Sequence, residues 1–201
     1  MKLPKFLPLL GIVMVFAVVG FFLLNPAERS KQTRDQQRVT DLQELKKALD
    51  FFLTKNAKIS SDTEKLLCTD CDLTKDVFSY RSIEIDSLTT KERHGRFVNG
   101  TGWIPIDFSA NMKLGETPLK LLPVDPLEKG YNIRKTFPVV NLFFSNNEGF
   151  VYTFTPGKSG KYKLTAKMES KTGLEKAKDD GGTLDDRLEI GSDLSLRPSY
   201  K

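Results

Sequence analysis

The sequence predicts an α+β fold, in which one long N-terminal helix packs on a C-terminal antiparallel β-sheet. Three observations predict it: an uncharged apolar run near the start, a helical stripe of apolar residues after that run, and short β-rich segments separated by turns. The chain has 201 residues, of which 39% are hydrophobic and 28% charged, as is typical of a globular protein. We divide it into an anchor (1–25), a helical stalk with an amphipathic end (26–56) and a β-rich domain (57–201).

The first element is an apolar segment at residues 6–24, which contains no charged residue. A helix of that length is about 28 Å long, close to the hydrocarbon thickness of a bilayer. A cleaved signal peptide is the alternative, but its apolar core is shorter, and the following Asn25-Pro26-Ala27 makes a poor cleavage site. We therefore expect a retained single-pass anchor in the lipid bilayer, with the C-terminal domain outside the cytoplasm. Two basic residues precede the segment and four follow it closely, so the positive-inside rule mildly opposes this orientation.

A second helical signal follows the anchor. Asn25 is typical of an N-cap and Pro26 of a first helical residue, although a kink within one continuous helix is the alternative. Residues 29–38 are polar all round, which is typical of a solvated connector or of a helix packed in an assembly through polar contacts. We also expect the ion pairs Lys31–Asp35 and Lys46–Asp50, four residues apart. Apolar residues then recur at helical spacing: Val39, Leu42, Leu45, Leu49, Phe52 and Leu53.

Beyond residue 56, short β-rich runs alternate with turn residues, which predicts an antiparallel sheet. Alternation of apolar and polar residues along 162–168 predicts that one face of the sheet is solvated, while the apolar stripe of the helix covers the other. The region between Thr89 and Tyr131 contains four prolines and is predicted to be mostly irregular. The candidate strands are 77–85, 139–145, 149–155, 162–170 and 187–190.

Three segments give the chain a resemblance to type IV pilin-like proteins, the group that includes the type II secretion pseudopilins. The first is Asn-Pro-Ala at 25–27 with KQTRDQQRVTDLQEL at 31–45, which is similar to the NPA…ARDAxRxxDLxxL pattern of the long helix in that family. The second is GWIPID at 102–107 with LPVDP at 122–126, and the third is 162–170 with Asp-Gly-Gly at 180–182. The resemblance implies a pilin-like fold and a structural subunit. Such a subunit assembles with copies of itself, or with other pilin-like subunits, through the N-terminal helix into a type IV pilus or a secretion pseudopilus that serves protein transport.

One feature departs from the family pattern. Such pilins usually begin with a basic leader, a Gly cleavage point and Phe-Thr-Leu-Ile-Glu, whose Glu pairs with the amino terminus of a neighbouring subunit. When the chain is aligned on Asn25-Pro26, that position falls near Lys5, and Gly11-Ile12 is not followed by a Glu. The departure speaks against prepilin-peptidase processing. It leaves a second hypothesis open: a membrane-tethered binding module on the cell envelope that does not polymerise.

Cys68 and Cys71 form a CxxC pair. Zinc requires four ligands, and His94, the single histidine, does not complete a site with this pair. A redox role would require a thioredoxin-like context, which the surrounding sequence lacks. We expect a structural disulfide in an oxidising compartment, with two free thiols as the alternative.

A cluster of four carboxylates surrounds a Gly-Gly turn near the C-terminal end: Asp179, Asp180, Asp185 and Asp186. Calcium prefers oxygen ligands on such loops, although the spacing is not that of an EF-hand. The resemblance also implies a calcium site in this part of the chain, as in the major pseudopilins. We carry calcium binding as a hypothesis beside a plain Asp-Gly turn.

The remaining composition argues against catalysis and against nucleic-acid binding. The net charge is +5, but lysine and arginine are spread among acidic residues without an aromatic-interleaved basic block. The sequence also contains no Gly-rich phosphate loop and no plausible Ser/His/Asp arrangement. We therefore predict a protein that is not an enzyme, has no cofactor and has no nucleic-acid partner.

Overall fold

The computed structural model describes residues 25–56, 79–82, 95–110, 118–127 and 150–197, together with Met14 and Leu67. The architecture of this part is α+β, as the sequence predicts. A short 3₁₀ turn, Lys158–Gly160, lies inside the hairpin of the second and third strands. In chain order the helices and strands are α1 (Pro26–Asn56), β1 (Tyr80–Arg81), β2 (Thr153–Pro156), β3 (Tyr162–Lys167), α2 (Lys171–Lys178) and β4 (Arg187–Gly191).

Several predictions concern residues outside the described part. They are the apolar anchor at 6–24, apart from Met14, the strand at 139–145, and the Cys68–Cys71 pair with its disulfide. Among the residues that the structure does describe, none of the helices combines the length and the apolar character needed to cross a membrane.

Helix α1 begins at Pro26 because Asn25 adopts a left-handed backbone conformation with a φ of 35°. The Asn25 carbonyl accepts hydrogen bonds from the N–H groups of Glu28 (3.0 Å) and Arg29 (3.2 Å), and its side-chain Oδ1 also accepts from Glu28 (3.3 Å). Proline is tolerated at the first helical position because the N–H there needs no helical acceptor. The predicted N-cap is confirmed, and the helix then runs for 31 residues, about 46 Å.

The four strands form one antiparallel sheet in the order β1-β2-β3-β4. Strands β2 and β3 form a hairpin in which Thr153 pairs with Thr165 and Pro156 pairs with Tyr162. Four of the five candidate strands are found at least in part. The strands predicted at 77–85, 149–155 and 162–170 are shorter than expected, whereas the one at 187–190 is found in full and extends by one residue to Gly191. The described segments 95–110 and 118–127 contain turns and one isolated bridge, in agreement with the predicted irregular region.

The core lies between α1, one face of the sheet and the irregular segments. The predicted apolar stripe is confirmed, since Leu42, Leu45 and Leu49 are fully buried and Val39 and Leu53 pack at its margins. The sheet contributes Phe154, Tyr162, Leu164 and Ala166, and Tyr152 directly precedes β2. The irregular segments contribute Trp103, Ile104, Ile106, Phe108, Leu122 and Val124. The indole Nε1–H of Trp103 donates a hydrogen bond to the carbonyl of Pro123 at 3.0 Å, which joins the two segments.

The other face of the sheet is buried, so the prediction of a solvated face is wrong. Its polar residues are each 1% exposed or less: Thr153, Thr155, Lys163, Thr165 and Glu189. Lys163 and Glu189 form an ion pair of 2.7 Å, and Lys163 Nζ also donates to the carbonyl of Leu194 at 3.1 Å. Alternation along a strand shows that a face is polar, but it does not show whether that face meets water. Here some of the polar groups are satisfied by one another.

Helix α2 was not predicted. Ser170 is its N-cap, and the Ser170 hydroxyl accepts a hydrogen bond from the N–H of Gly173 at 2.9 Å. Gly173 and Ala177, four residues apart, are buried. Because the helix has only eight residues, its apolar periodicity is too short to stand out, and the capping serine is the main local signal.

The apolar stripe of α1 is expected to contribute strongly to the stability of the fold. Leu49→Ala should lower the free energy of unfolding by about 2–5 kcal/mol, because Leu49 is fully buried and its truncation leaves a cavity. Gln43→Ala, at an exposed position of the same helix, should change it by less than about 0.5 kcal/mol. Urea unfolding followed by the fluorescence of Trp103, the single tryptophan, measures both variants. Similar losses in the two would contradict this core.

Candidate functional site

Arg38 of α1 has a fully buried side chain at the junction with the head, by which we mean the described residues from 79 to 197. Its Nε and Nη2 bind the two oxygens of Asp125 at 2.7 and 3.0 Å. Its Nη1 binds Asp35 Oδ1 at 2.8 Å and also contacts Glu169. The planar guanidinium suits this arrangement because its N–H groups form a rigid fork. With Arg34, these residues form what we call the ion-pair network.

Arg34 enters the network one helical turn before Arg38. Its Nε and Nη2 bind both oxygens of Glu169 at 2.8 and 2.7 Å, and its Nη1 donates to Ser30 Oγ at 2.9 Å. The Arg34 side chain is 27% exposed whereas that of Arg38 has no exposed surface, so the network opens to water at this end. The ring of Phe150, whose centroid lies 4.8 Å from Arg38 Cζ, adds a cation–π contact.

Asp35 uses its carboxylate to hold α2 against α1. Its Oδ2 accepts hydrogen bonds from the N–H (2.8 Å) and the hydroxyl (2.6 Å) of Ser170, and its Oδ1 accepts from the N–H of Glu169 at 3.1 Å. Residue 173 is a glycine because a Cβ there would overlap the Asp35 carboxylate. The network has two cations and three carboxylates, and the helix dipole favours the surplus negative charge at the N-terminus of α2.

Electrostatic contacts keep Arg38 and Glu169 of the network charged. Burial acts to lower the pKa of Arg38, but hydrogen bonds and charges from the surrounding carboxylates outweigh burial and raise that pKa above its ordinary value. Burial also acts to raise the pKa of Glu169, but hydrogen bonds from Arg34 and Arg38 outweigh it and lower that pKa below its ordinary value. Arg38 and Glu169 are therefore both charged at neutral pH.

Two tyrosines of the sheet attach the next turns of α1. The hydroxyl of Tyr152 donates to Asp41 Oδ2 at 2.6 Å, and the hydroxyl of Tyr162 donates to Asp50. Burial and the hydrogen bond to Asp41 raise the pKa of Tyr152 well above its ordinary value, and burial and Asp50 do the same for Tyr162. Both phenols therefore remain protonated donors, and polar contacts reach along α1 to Asp50.

The polar stretch at 29–38 is therefore divided between two faces of α1. Arg34, Asp35 and Arg38 contact the head of the same chain, which a solvated connector would not do. The predicted Lys31–Asp35 ion pair is wrong, because Asp35 binds Arg38 and the start of α2 instead. The predicted Lys46–Asp50 pair is confirmed, at 2.6 Å.

The ion-pair network was missed from the sequence, where its members resemble solvated charges. One signal was present. Asp35 and Arg38 lie seven and four residues before Leu42, so they extend the buried stripe of α1 at helical spacing. The partners Asp125 and Glu169 lie in the second and third segments of the family resemblance, 87 and 131 residues away from Arg38. No local pattern connects them to the helix.

The loop proposed as a calcium site lies between α2 and β4, and two carboxylates there bind the protein's own backbone. Asp180 Oδ1 accepts from the N–H of Gly182 at 2.7 Å, and Asp180 Oδ2 accepts from the N–H of Glu189 at 2.6 Å. Glu189 Oε2 accepts from the N–H groups of Thr183 and Leu184. Both oxygens of Asp180 are thus engaged in hydrogen bonds that shape the turn.

The other three proposed ligands lie at the surface of the same loop. Asp179 and Asp185 are exposed, and Asp186 Oδ2 lies 3.9 Å from Lys167 Nζ. Throughout the described ranges, no group of three or more His, Cys, Asp or Glu residues is arranged to hold a metal ion. Calcium binding at Asp179, Asp180, Asp185 and Asp186 stays a prediction.

No protein-family model, curated protein or solved structure matches the chain. The resemblance to type IV pilin-like proteins therefore depends on the three quoted segments. The described residues establish one long helix packed on a four-stranded antiparallel sheet.

Removing the central cation should be strongly destabilising. Arg38→Met is expected to lower the free energy of unfolding by about 3–5 kcal/mol, because it leaves buried carboxylates without a partner. Arg29→Met, at an exposed position, should change it by less than about 0.5 kcal/mol. Adding Asp125→Leu to Arg38→Met should restore part of the loss. Urea unfolding measures all three, and a small loss for Arg38→Met alone would contradict the role given to the network.

Stability should fall in acid. The pKa of Glu169 is lowered by folding from its ordinary value of 4.5, so its contribution is fully present above about pH 5.5 and is lost as the pH falls through the lowered pKa. Urea midpoints measured from pH 7 to pH 3 should decline, and Glu169→Gln should make that decline shallower. An unchanged decline in Glu169→Gln would show that other groups carry the acid sensitivity.

Proposed function

We propose that the chain is a membrane-anchored structural subunit that assembles through its N-terminal helix into a fibre like a type IV pilus or a type II secretion pseudopilus. The observation that carries this proposal is the outer face of α1. Between residues 30 and 43, every exposed residue of the helix is polar and uncharged. We call this set the uncharged stripe: Ser30, Gln32, Thr33, Gln36, Gln37, Thr40 and Gln43.

The charged residues of the same stretch are buried or half-buried instead: Lys31, Arg34, Asp35, Arg38 and Asp41. A helix on the surface of a globular protein normally carries its charges on the face that meets water. Here several of them are paired with the head, so the outer face of the helix is left without charge. A second helix can cover such a face without burying an unpaired ion, which would be unfavourable.

The hydroxyl groups of the uncharged stripe are already bonded within the helix. Thr33 Oγ1 donates to the carbonyl of Arg29 at 3.1 Å, and Thr40 Oγ1 donates to the carbonyl of Gln36 at 3.0 Å. Burial against a neighbouring helix would therefore leave both threonine hydroxyls with an acceptor, and Ser30 Oγ accepts from Arg34 Nη1 at 2.9 Å. The stripe is about 20 Å long, which is enough for a helix–helix contact of several turns.

The order of elements along the chain also supports the proposal. The apolar segment at 6–24 directly precedes α1, and the most specific part of the pilin-like resemblance, 25–45, lies on that helix. In this proposal the bilayer holds the subunit before assembly, and the head lies outside the cytoplasm. The partners are copies of this chain or other pilin-like subunits, joined by helix packing and not by a catalytic step.

A charge placed in the uncharged stripe should prevent association. Thr40→Glu is expected to reduce at least about tenfold the recovery of a differently tagged second copy from detergent-solubilised membranes, since the interface would bury an unpaired carboxylate. Thr54→Glu is the matched control. It makes the same substitution at an exposed threonine of α1 whose hydroxyl also bonds a carbonyl four residues earlier, that of Asp50 at 2.7 Å. Electron microscopy of cells for fibres is the second readout.

The outcomes separate the hypotheses. Equal losses in Thr40→Glu and Thr54→Glu would exclude the stripe as the interface. Recovery of no second copy with the unaltered chain, while the chain remains in the membrane fraction, would favour the membrane-tethered module that does not polymerise. Fractionation with protease accessibility of the head measures anchoring and sidedness, and a chain found free of membranes would contradict the proposal.

A further inference from the structure

We infer that the head itself rests on anionic lipid headgroups, through a basic surface formed by Arg29, Lys31 and Lys171. The inference rests on the proposed membrane anchor and adds a second contact with the same bilayer. It arises from a juxtaposition that the fold creates, in which the first turn of α2 lies beside the first turn of α1.

The head is attached to α1 very close to the end of the apolar segment. Glu28 lies four residues beyond Leu24, the last residue of that segment. Even fully extended, four residues span at most about 14 Å. Glu28 Oε1 accepts a hydrogen bond from the backbone N–H of Lys171 at 2.7 Å, and Gln32 Nε2 donates to Thr172 Oγ1 at 3.4 Å. No free stalk separates this part of the head from the anchor.

The distance between the apolar segment and Glu28 is comparable with the distance over which an anionic membrane surface attracts cations. The polar headgroup layer on each side of the hydrocarbon core is about 5–8 Å thick. Beyond it, the negative surface potential decays over a Debye length of about 8 Å at physiological salt. Lys171 lies next to Glu28, and Arg29 and Lys31 follow Glu28 in α1, so all three cations fall within this zone once the apolar segment is in lipid.

The three cations are available to a ligand. Arg29 and Lys171 are exposed and Lys31 is half-buried. In the part of the chain that the structure describes, none of them forms an ion pair. Lys31 lacks its helical partner because Asp35 binds Arg38 and the start of α2. Three cations against the one carboxylate of Glu28 leave a surplus of two positive charges (3 − 1), which exceeds the one surplus negative charge of the neighbouring ion-pair network (3 − 2). Lysine and arginine side chains in this position attract lipid phosphates.

In this proposal the cationic side chains, and not the N–H groups at the N-terminus of α2, bind the lipid headgroups. The first N–H groups of α2 are already occupied, since Lys171 N–H donates to Glu28 and Gly173 N–H donates to Ser170 Oγ. A side-chain contact with the bilayer is electrostatic and must therefore depend on lipid charge and on salt. Each cation near an anionic surface strengthens attachment about fivefold.

The test uses the full chain in lipid nanodiscs of phosphatidylcholine alone, or of phosphatidylcholine with about one-third phosphatidylglycerol. Hydrogen exchange is measured by mass spectrometry on peptides covering α2, with peptides covering β4 as the internal reference. In the anionic discs, the exchange of α2 should slow at least about threefold relative to the neutral discs. Addition of 0.5 M NaCl should abolish that difference, and inorganic phosphate added to neutral discs should not reproduce it.

Two charge-reversed double variants distinguish binding through this surface from a general effect of the chain's positive charge. Arg29→Glu with Lys171→Glu should remove the protection of α2 in anionic discs. Lys47→Glu with Lys120→Glu makes the same change of charge at exposed positions and should leave the protection intact. Lys47 is nineteen residues beyond Glu28 on α1, about 28 Å along the helix.

The two proposals fail in distinguishable ways. If the chain is recovered in nanodiscs but α2 exchanges equally in neutral and anionic lipid, the proposed lipid contact of the basic surface is wrong. The proposed membrane anchor is then retained. Equal effects of the two double variants would also overturn it. If the chain elutes without lipid, the anchor itself is wrong, and the lipid contact is excluded with it.

Discussion

The structure depends on the burial of one guanidinium group. Arg38 has no exposed side-chain surface, so it must be matched by carboxylates. These come from its own helix, from the 118–127 segment and from the connection between β3 and α2. A small shift of α1 against the head would leave a buried charge without its partner. Buried ion pairs add little net stability compared with apolar packing, but they penalise alternative arrangements. The network therefore sets where the helix lies on the head.

This placement explains the distribution of charge over the rest of α1. Because Arg34, Asp35 and Arg38 are turned toward the head, the outer face of the same turns carries only uncharged polar side chains. Because Asp35 is used by Arg38 and by α2, Lys31 is left without the partner that helical spacing would supply. The uncharged stripe and the basic surface near the apolar segment are thus two consequences of one buried network.

The described elements show which physical signals can be read from a linear sequence. The Asn25 cap and the Leu42–Leu45–Leu49 stripe were predictable because capping and helical periodicity are local. Strand β3 was predictable in part from its alternating pattern. The burial of its Lys163 and of Glu189 on the neighbouring β4 was not, because coverage of a sheet depends on segments distant in sequence. Helix α2 was not predicted because two helical turns show too little apolar periodicity to be recognised.

The amino-acid sequence alone determined the fold class, the start of α1 and the apolar face of that helix, since each follows from interactions among residues within a few turns of one another. The candidate site required the folded chain. Arg38, Asp125 and Glu169 meet only after long loops close, and whether a charged side chain is solvated or buried depends on what the rest of the chain places beside it. The network influences the fold because its charges are removed from water, and the spacing of residues along the sequence does not show which charges will be removed.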